Sequence, residues 1–140
     1  MFRLVKNLYG GAEVAPPKDN FPFTAGEELS EGTVCKFNTD GKLVAADDDD
    51  SEAAIVTLSG AEADEDVRGY YILPGMIFIA PKDDDAHADQ YTGNNSVEMN
   101  DDGTEVKVSQ DPGASGGNLT LIKMDDDFAY VIFNKGVFFK

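Results

Sequence analysis

The chain has 140 residues, 41% hydrophobic and 27% charged, with 27 acidic against 11 basic residues and a net charge of −16. This length and balance predict one globular domain with a real core rather than a disordered polyanion. The carboxylate surplus argues against nucleic acid or anionic lipid as a partner, because phosphate repels it. No apolar run reaches the roughly 18 residues of a membrane helix, and the longest, Tyr70 to Ala80, is broken at Pro74-Gly75.

Residues 1–24 differ from the rest. Arg3, Lys6 and Lys18 against Glu13 and Asp19 leave this stretch at +1, and residues 25–140 at −17. It holds Gly10-Gly11, Pro16-Pro17 and Pro22 among scattered apolar residues, with no apolar core of a signal peptide in Met1 to Leu8. Synthesis in a cytoplasm, without standard export, is therefore expected. One reading makes residues 1–24 a first strand and a Pro-rich connection folded onto the body. The reading adopted here makes them an extended N-terminal arm that docks on a neighbouring protein, since proline lowers the ordering cost and apolar side chains anchor. Its contacts would be Phe2, Arg3, Leu4, Val5, Lys6, Leu8, Tyr9, Phe21 and Phe23.

Residues 25–140 read as a single β-rich domain. Aspartate outnumbers glutamate 18 to 9 and clusters at Asp47–Asp50, Asp83–Asp85, Asp101-Asp102 and Asp125–Asp127. Aspartate favours turns because its short carboxylate bonds nearby backbone amides. Thr24-Ala25-Gly26-Glu27 has capping-box spacing but room for about one turn. Thr33–Phe37 and Lys42–Ala46 predict strands around the turn Asn38-Thr39-Asp40-Gly41. Ala53–Leu58 follows as a strand, and Ala61–Asp66 has the composition for one or two helical turns. Val67–Leu73 and Met76–Ala80 flank Pro74-Gly75, which suits a type II turn. Asp83–Asn95 reads as a loop, Asn100–Gly103 as a turn, Thr104–Val108 as a strand by its alternation, and Asp111–Gly117 as a loop. Leu119–Met124 and Phe128–Phe133 form a predicted hairpin across Asp125–Asp127, and Asn134-Lys135-Gly136 turns into Val137-Phe138-Phe139. The fold expected is all-β: a compact barrel or sandwich of eight to ten short antiparallel strands.

Residues for chemistry are sparse. The one histidine, His87, sits among Asp and Ala, and no partner in sequence orients it as a base. The one cysteine, Cys35, lies in an apolar strand pattern and reads as a small buried hydrophobe. The Asp clusters offer hard oxygens suited to Ca²⁺, but the twelve-residue EF-hand pattern is absent and adjacent strand residues point to opposite faces. Gly113–Gly117 lacks the Lys and the strand–helix setting of a phosphate loop. No catalytic residue, metal or cofactor is expected.

Phe23-Thr24-Ala25-Gly26-Glu27-Glu28-Leu29-Ser30-Glu31-Gly32-Thr33-Val34, the turn Thr39-Asp40-Gly41-Lys42, Leu43-Val44-Ala45-Ala46, the Ala-rich strand Ala53 to Leu58, and Tyr70 to Phe78 follow an order that resembles the capsid decoration (cement) proteins of tailed bacteriophages. The resemblance covers residues 21–80. It implies a non-enzymatic protein on the outer capsid surface of a virion, bound to the major capsid protein as a homotrimer or beside neighbouring copies, stabilising contacts between capsomers. The arm would carry much of the contact, so Phe21→Ala and Phe23→Ala should lower occupancy on the shell without harming the fold. The alternative is a receptor- or carbohydrate-binding β-module of a virion fibre or spike, with Tyr70, Tyr71 or Tyr91 as stacking platforms.

Overall fold

The computed structural model describes residues 1–7, 21–46, 52–83, 97–108 and 117–139, and among them it forms eleven strands and no helix. The clearest local signal gives the clearest element. β10 (Leu119–Met124) and β11 (Phe128–Phe133) pair antiparallel around the aspartates. There the Asp125 carboxylate accepts from the N–H groups of Asp127 and Phe128, at 3.1 and 2.9 Å. β3 (Val34–Phe37) and β4 (Leu43–Ala45) pair in the same way. The Asn38 side-chain oxygen accepts from Asp40 and Lys42 N–H in their turn.

Long-range pairing builds two main sheets. The first has the order β1-β7-β11-β10, uniting β1 (Arg3–Asn7) and β7 (Met76–Pro81) with the C-terminal hairpin. The second has the order β2-β6-β5-β3-β4, with β2 (Phe21–Thr24), β5 (Ile55–Thr57) and β6 (Asp66–Tyr71) beside the β3–β4 hairpin. β6 and β7 therefore lie in different sheets. The Leu73–Met76 turn carries the chain between them, with Gly75 at φ 86°, as the third residue of a type II turn requires. A small third sheet pairs β8 (Glu98–Met99) with β9 (Val106–Lys107). Gly103 ends its turn at φ 66°, and a Cβ there would lie 2.5 Å from the Val34 carbonyl oxygen.

Strand alternation sends one side chain in two inward. Leu4, Phe78, Ala80, Leu119, Leu121, Ala129, Val131 and Phe133 of the first sheet meet Val34, Val56 and Tyr70 of the second. Val97, Met99, Val106 and Val108 join this main core from the third sheet and its flanks. Tyr70 and Phe78 stack across the sandwich with ring centroids 6.2 Å apart, and Phe133 meets Phe78 edge-on at 5.4 Å. Buried hydroxyls are satisfied, as burial demands: Thr57 Oγ1 donates to the Ser30 carbonyl at 2.7 Å and accepts from Thr33 N–H at 2.9 Å.

A second cluster lies on the far face of the second sheet. Cys35, Leu43, Ala54, Ile55 and Val67 are covered there by Ala25 and Leu29, with Ala61 and Phe138 packed alongside. Paired backbone bonds hold the cover: Leu29 and Ala61 each donate N–H to the other's carbonyl, at 2.8 and 2.9 Å, and Ala25 N–H donates to the Glu65 carbonyl at 2.9 Å. The one or two helical turns expected at Ala61–Asp66 do not form. Asp64 takes φ 68° and its N–H donates to the Ala25 carbonyl, so the segment is spent on pairing with the cover. Val137–Phe139 is likewise a turn rather than a strand, with Phe138 edge-on to Tyr71 at 4.6 Å.

The extended arm is corrected at both of its described ends. Residues 3–7 are a strand of the first sheet and residues 21–24 a strand of the second. Phe2 is 1% exposed inside the main core. Burial of Phe2 and Leu4 outweighs the freedom of an arm, as the strand-plus-connection reading anticipated. Residues 8–20 lie outside the described residues.

Candidate functional site

The outward half of the first sheet carries the site. Its inward residues are core, so alternation turns Arg3 and Val5 of β1, Ile77 and Ile79 of β7, Tyr130 and Ile132 of β11, and Ile122 and Lys123 of β10 to the opposite face. Cross-strand register aligns four of them in one row. Arg3 stands opposite Ile79, Ile79 opposite Tyr130, and Tyr130 opposite Lys123. A cation therefore closes the row on each edge strand, with an apolar floor between. Lys123 Nζ lies 4.9 Å from the centroid of the Tyr130 ring, a cation–π arrangement that holds the ammonium over the face.

Arg3, Val5, Ile77, Ile79, Ile122, Lys123 and Tyr130 together line a groove of about 470 Å³. Ile77 and Ile79 on its floor are only 9% exposed, while Ile122 is 39% exposed and Phe128, at one end of the face opposite Pro81, is 41% exposed. No described strand position on this face is a carboxylate, in a chain with 27 of them. Neither Arg3 nor Lys123 is in an ion pair with any described residue. The two edges of the sheet are poor templates for another strand. β1 is interrupted by a bulge between Leu4 and Lys6, and β10 by one between Leu121 and Lys123. A bulge together with a lysine is how sheets discourage edge-to-edge pairing. Strand addition at these edges is thus discouraged.

Of the nine residues expected to contact a partner, Arg3 and Val5 belong to this face. Phe2 and Leu4 are corrected, and Phe23 packs on other aromatic rings of the chain. Phe2 packs against Phe133 at 6.1 Å, Leu4 is 5% exposed with its N–H donating to the Tyr70 hydroxyl, and Phe23 contacts Phe37 and Tyr71 at 5.9 and 6.2 Å. The apolar surface of Phe2 and Leu4 is consumed by the chain's own core, while Phe23 is half-buried beside the second cluster. Lys6 and Phe21 have backbone positions in β1 and β2, opposite Ile77 and Gly69. Leu8 and Tyr9 lie outside the described residues. Sequence reasoning missed Ile77, Ile79, Ile122, Lys123 and Tyr130. Period-two alternation in Met76–Pro81 and Leu119–Phe133 held the signal, but only strand order shows that they share a face.

The remaining chemical candidates are internal or outside the described residues. Cys35 is buried, and burial, reinforced by the Glu27 charge, pushes its thiol up to about 12. Tyr70 is 4% exposed and burial pushes its phenol up to about 12, so it is no stacking platform, while Tyr71 is half-buried with Phe23 and Phe138 edge-on to it. His87 and Tyr91 lie outside the described residues. Asn100 uses its side-chain oxygen to accept from Thr104 and Glu105 N–H, and Asp83 uses one of its own to accept from Val108 N–H. Among the described residues no three His, Cys, Asp or Glu side chains gather as a cation site. A polar hollow of about 380 Å³ between Glu27, Glu28, Ser30, Thr33, Asp102 and Thr104 spends Glu27 on the Ala45 N–H at 2.8 Å.

No family model and no curated protein matches the chain.

Proposed function

We propose that this chain is a non-enzymatic capsid decoration protein that binds the outer surface of an icosahedral shell and stabilises contacts between capsomers. The observation that supports this reading is the polarity of the molecule: one apolar, acid-free sheet face on a body of net charge −16. Apolar area with a few convergent polar groups is what a docking surface needs, and a strongly charged remainder keeps the bound protein soluble and unaggregated. The order of glycines and strands over residues 21–80, which resembles the decoration proteins, points the same way. A modest affinity suffices, because binding only the assembled state shifts assembly by mass action, and repetition over a lattice multiplies the effect. Docking then lies on the first sheet rather than on an arm.

Quantitative mass spectrometry of purified particles from the source tests this. About one copy per shell subunit is expected. A handful of copies per particle would replace decoration by a fibre, spike or connector role, and complete absence would remove the protein from the virion.

A further inference from the structure

Two of the described turns are built on the same pattern. In Asn38-Thr39-Asp40-Gly41 and in Asn100-Asp101-Asp102-Gly103 an asparagine stands two residues before an Asp-Gly pair. In each the glycine N–H donates to the asparagine carbonyl, at 3.0 Å for Gly41 and 3.2 Å for Gly103. In each the asparagine side-chain oxygen accepts backbone N–H groups from beyond the glycine, Lys42 in the first turn and Thr104 and Glu105 in the second. Both glycines take positive φ, 76° and 66°. Within their own residues the two turns are equivalent.

An Asp-Gly pair carries a latent reaction. The glycine nitrogen attacks Cγ of the aspartate, water leaves, and a succinimide ring closes. Water then adds back at either ring carbonyl. Opening at Cγ restores aspartate. Opening at the α-carbonyl leaves the backbone running through the side chain, as isoaspartate. The water lost in the first step is regained in the second, so no other reactant is needed. Glycine favours closure because it has no side chain to crowd the nitrogen and its backbone rotates freely.

The surroundings of the two turns differ. Thr39, Asp40 and Gly41 are all exposed, and a Cβ at Gly41 would meet no described atom within 4 Å. Gly103 is buried, and its carbonyl receives the Val34 N–H at 2.8 Å. A Cβ there would lie 2.5 Å from the Val34 carbonyl oxygen and 3.2 Å from that of Ala46. The Asp102–Gly103 peptide therefore cannot rotate for ring closure without parting the turn from β3. The Asp40–Gly41 peptide gives up one exposed turn bond, which water replaces. We propose that Asp40 is a site of spontaneous isoaspartate formation, and that the packing of Gly103 protects Asp102 from the same reaction. The product adds one backbone atom to a turn across which Asn38 N–H donates to the Lys42 carbonyl at 2.8 Å. Lys42 in turn reaches Asp64, so the modification falls at one anchor of the cover on the second sheet.

The test holds the full chain for several weeks in mildly acidic buffer at body temperature. Peptides covering each turn are then fragmented by electron transfer, which separates isoaspartate from aspartate. In the folded protein isoaspartate at Asp40 should exceed that at Asp102 by at least about five-fold, the cost of breaking one further hydrogen bond to open the second turn. In the chain unfolded in guanidinium the two positions should react alike, because only the fold distinguishes them. Asp40→Asn makes ammonia the leaving group in place of water. That variant should lose its amide while folded, giving aspartate and isoaspartate at position 40. Equal amounts at the two aspartates of the folded chain, or none at Asp40, would overturn the proposal. So would an excess at Asp40 that survives unfolding, which would assign the difference to the residues flanking each pair. An Asp40→Asn protein that keeps its amide would show that the turn itself forbids ring closure, and would overturn it equally.

Discussion

The two main sheets share one core but treat their other faces in opposite ways. Behind the second sheet, Leu43, Ile55 and Val67 are sealed by the chain itself, through Ala25, Leu29 and Phe138 and the backbone pairs between residues 25–29 and 61–65. Behind the first sheet the burial is uneven: Ile77 and Ile79 on the central strand β7 are only 9% exposed, whereas Ile122 and Phe128 are 39% and 41% exposed. A sheet with one solvated face ordinarily alternates apolar inward with polar outward. The second sheet shows that this sequence can build a cover where its fold needs one. Among the described residues, the most exposed apolar side chains of the first sheet are thus Ile122 and Phe128 of the C-terminal hairpin.

The largest expected effect comes from opening the covered face. Leu29→Ala removes a side chain that is 5% exposed, and deletions of this kind cost about 2–5 kcal/mol. Ile122→Ala on the open face, at 39% exposure, should cost under about 1 kcal/mol, because much of its surface stays in water in either form. Urea midpoints at unchanged slope measure both. Comparable losses at the two positions would mean that the open face is sealed in the isolated chain, and the contrast between the sheets would collapse.

The next effect reads the cover through acid–base chemistry. Cys35 lies beneath it with a thiol raised from 9.0 to about 12 by burial and then by Glu27. Tyr70, between the sheets, is raised from 10.0 to about 12 by burial, which outweighs the Leu4 N–H bond. Both groups keep their protons longer folded than unfolded. Their contribution is whole below pH 9 and falls as pH climbs from about 9 towards 12, because the unfolded chain loses protons first. At about 1.4 kcal/mol per pH unit and group, the rises in Cys35 and Tyr70 together put the loss by pH 12 at no more than about 7 kcal/mol. Cys35→Ala should remove the part of the decline that begins near pH 9, leaving the part that begins near pH 10. An unchanged alkaline profile in Cys35→Ala would show the thiol to be accessible, and the cover to be open.

How much of this was legible in the sequence follows the range of the interactions involved. The β10–β11 hairpin falls at the residues that alternation and the Asp125–Asp127 turn mark, because turn and pairing are both local. The β3–β4 turn is equally local, and the all-β class follows from repeated short runs between aspartates. β1 and β2 were hidden, since the prolines and glycines around them suggest irregular chain, while their pairing with β7 and β6 is set some seventy and forty-five residues away. β6 and β7 look like one hairpin in sequence, and only the competition for partners sends them to separate sheets. The candidate site suffers most from this. Arg3, Ile79, Tyr130 and Lys123 become a row only through three long-range pairings, and no window of sequence holds more than two of them.

The smallest effect distinguishes what closes the covered face from what merely decorates it. Lys42 Nζ sits 2.7 Å from an Asp64 carboxylate oxygen, tying the β3–β4 hairpin to the cover, and the hydrogen bond and charge of Asp64 raise the lysine pKa. Exposed pairs contribute little, so the sign of the two substitutions says more than their size. Lys42→Gln removes the pair and also takes the net charge from −16 to −17, deepening self-repulsion. Asp64→Asn removes the same pair but relieves one negative charge, so its two consequences oppose. Lys42→Gln should therefore destabilise more than Asp64→Asn in low salt. The gap should close near 1 M salt, where the screening length falls to about 3 Å. Equal effects of the two variants in low salt would mean that the pair, and not the chain's overall charge, sets the balance. The cover would then depend on this tether and not only on Leu29, Ala61 and the backbone bonds between them.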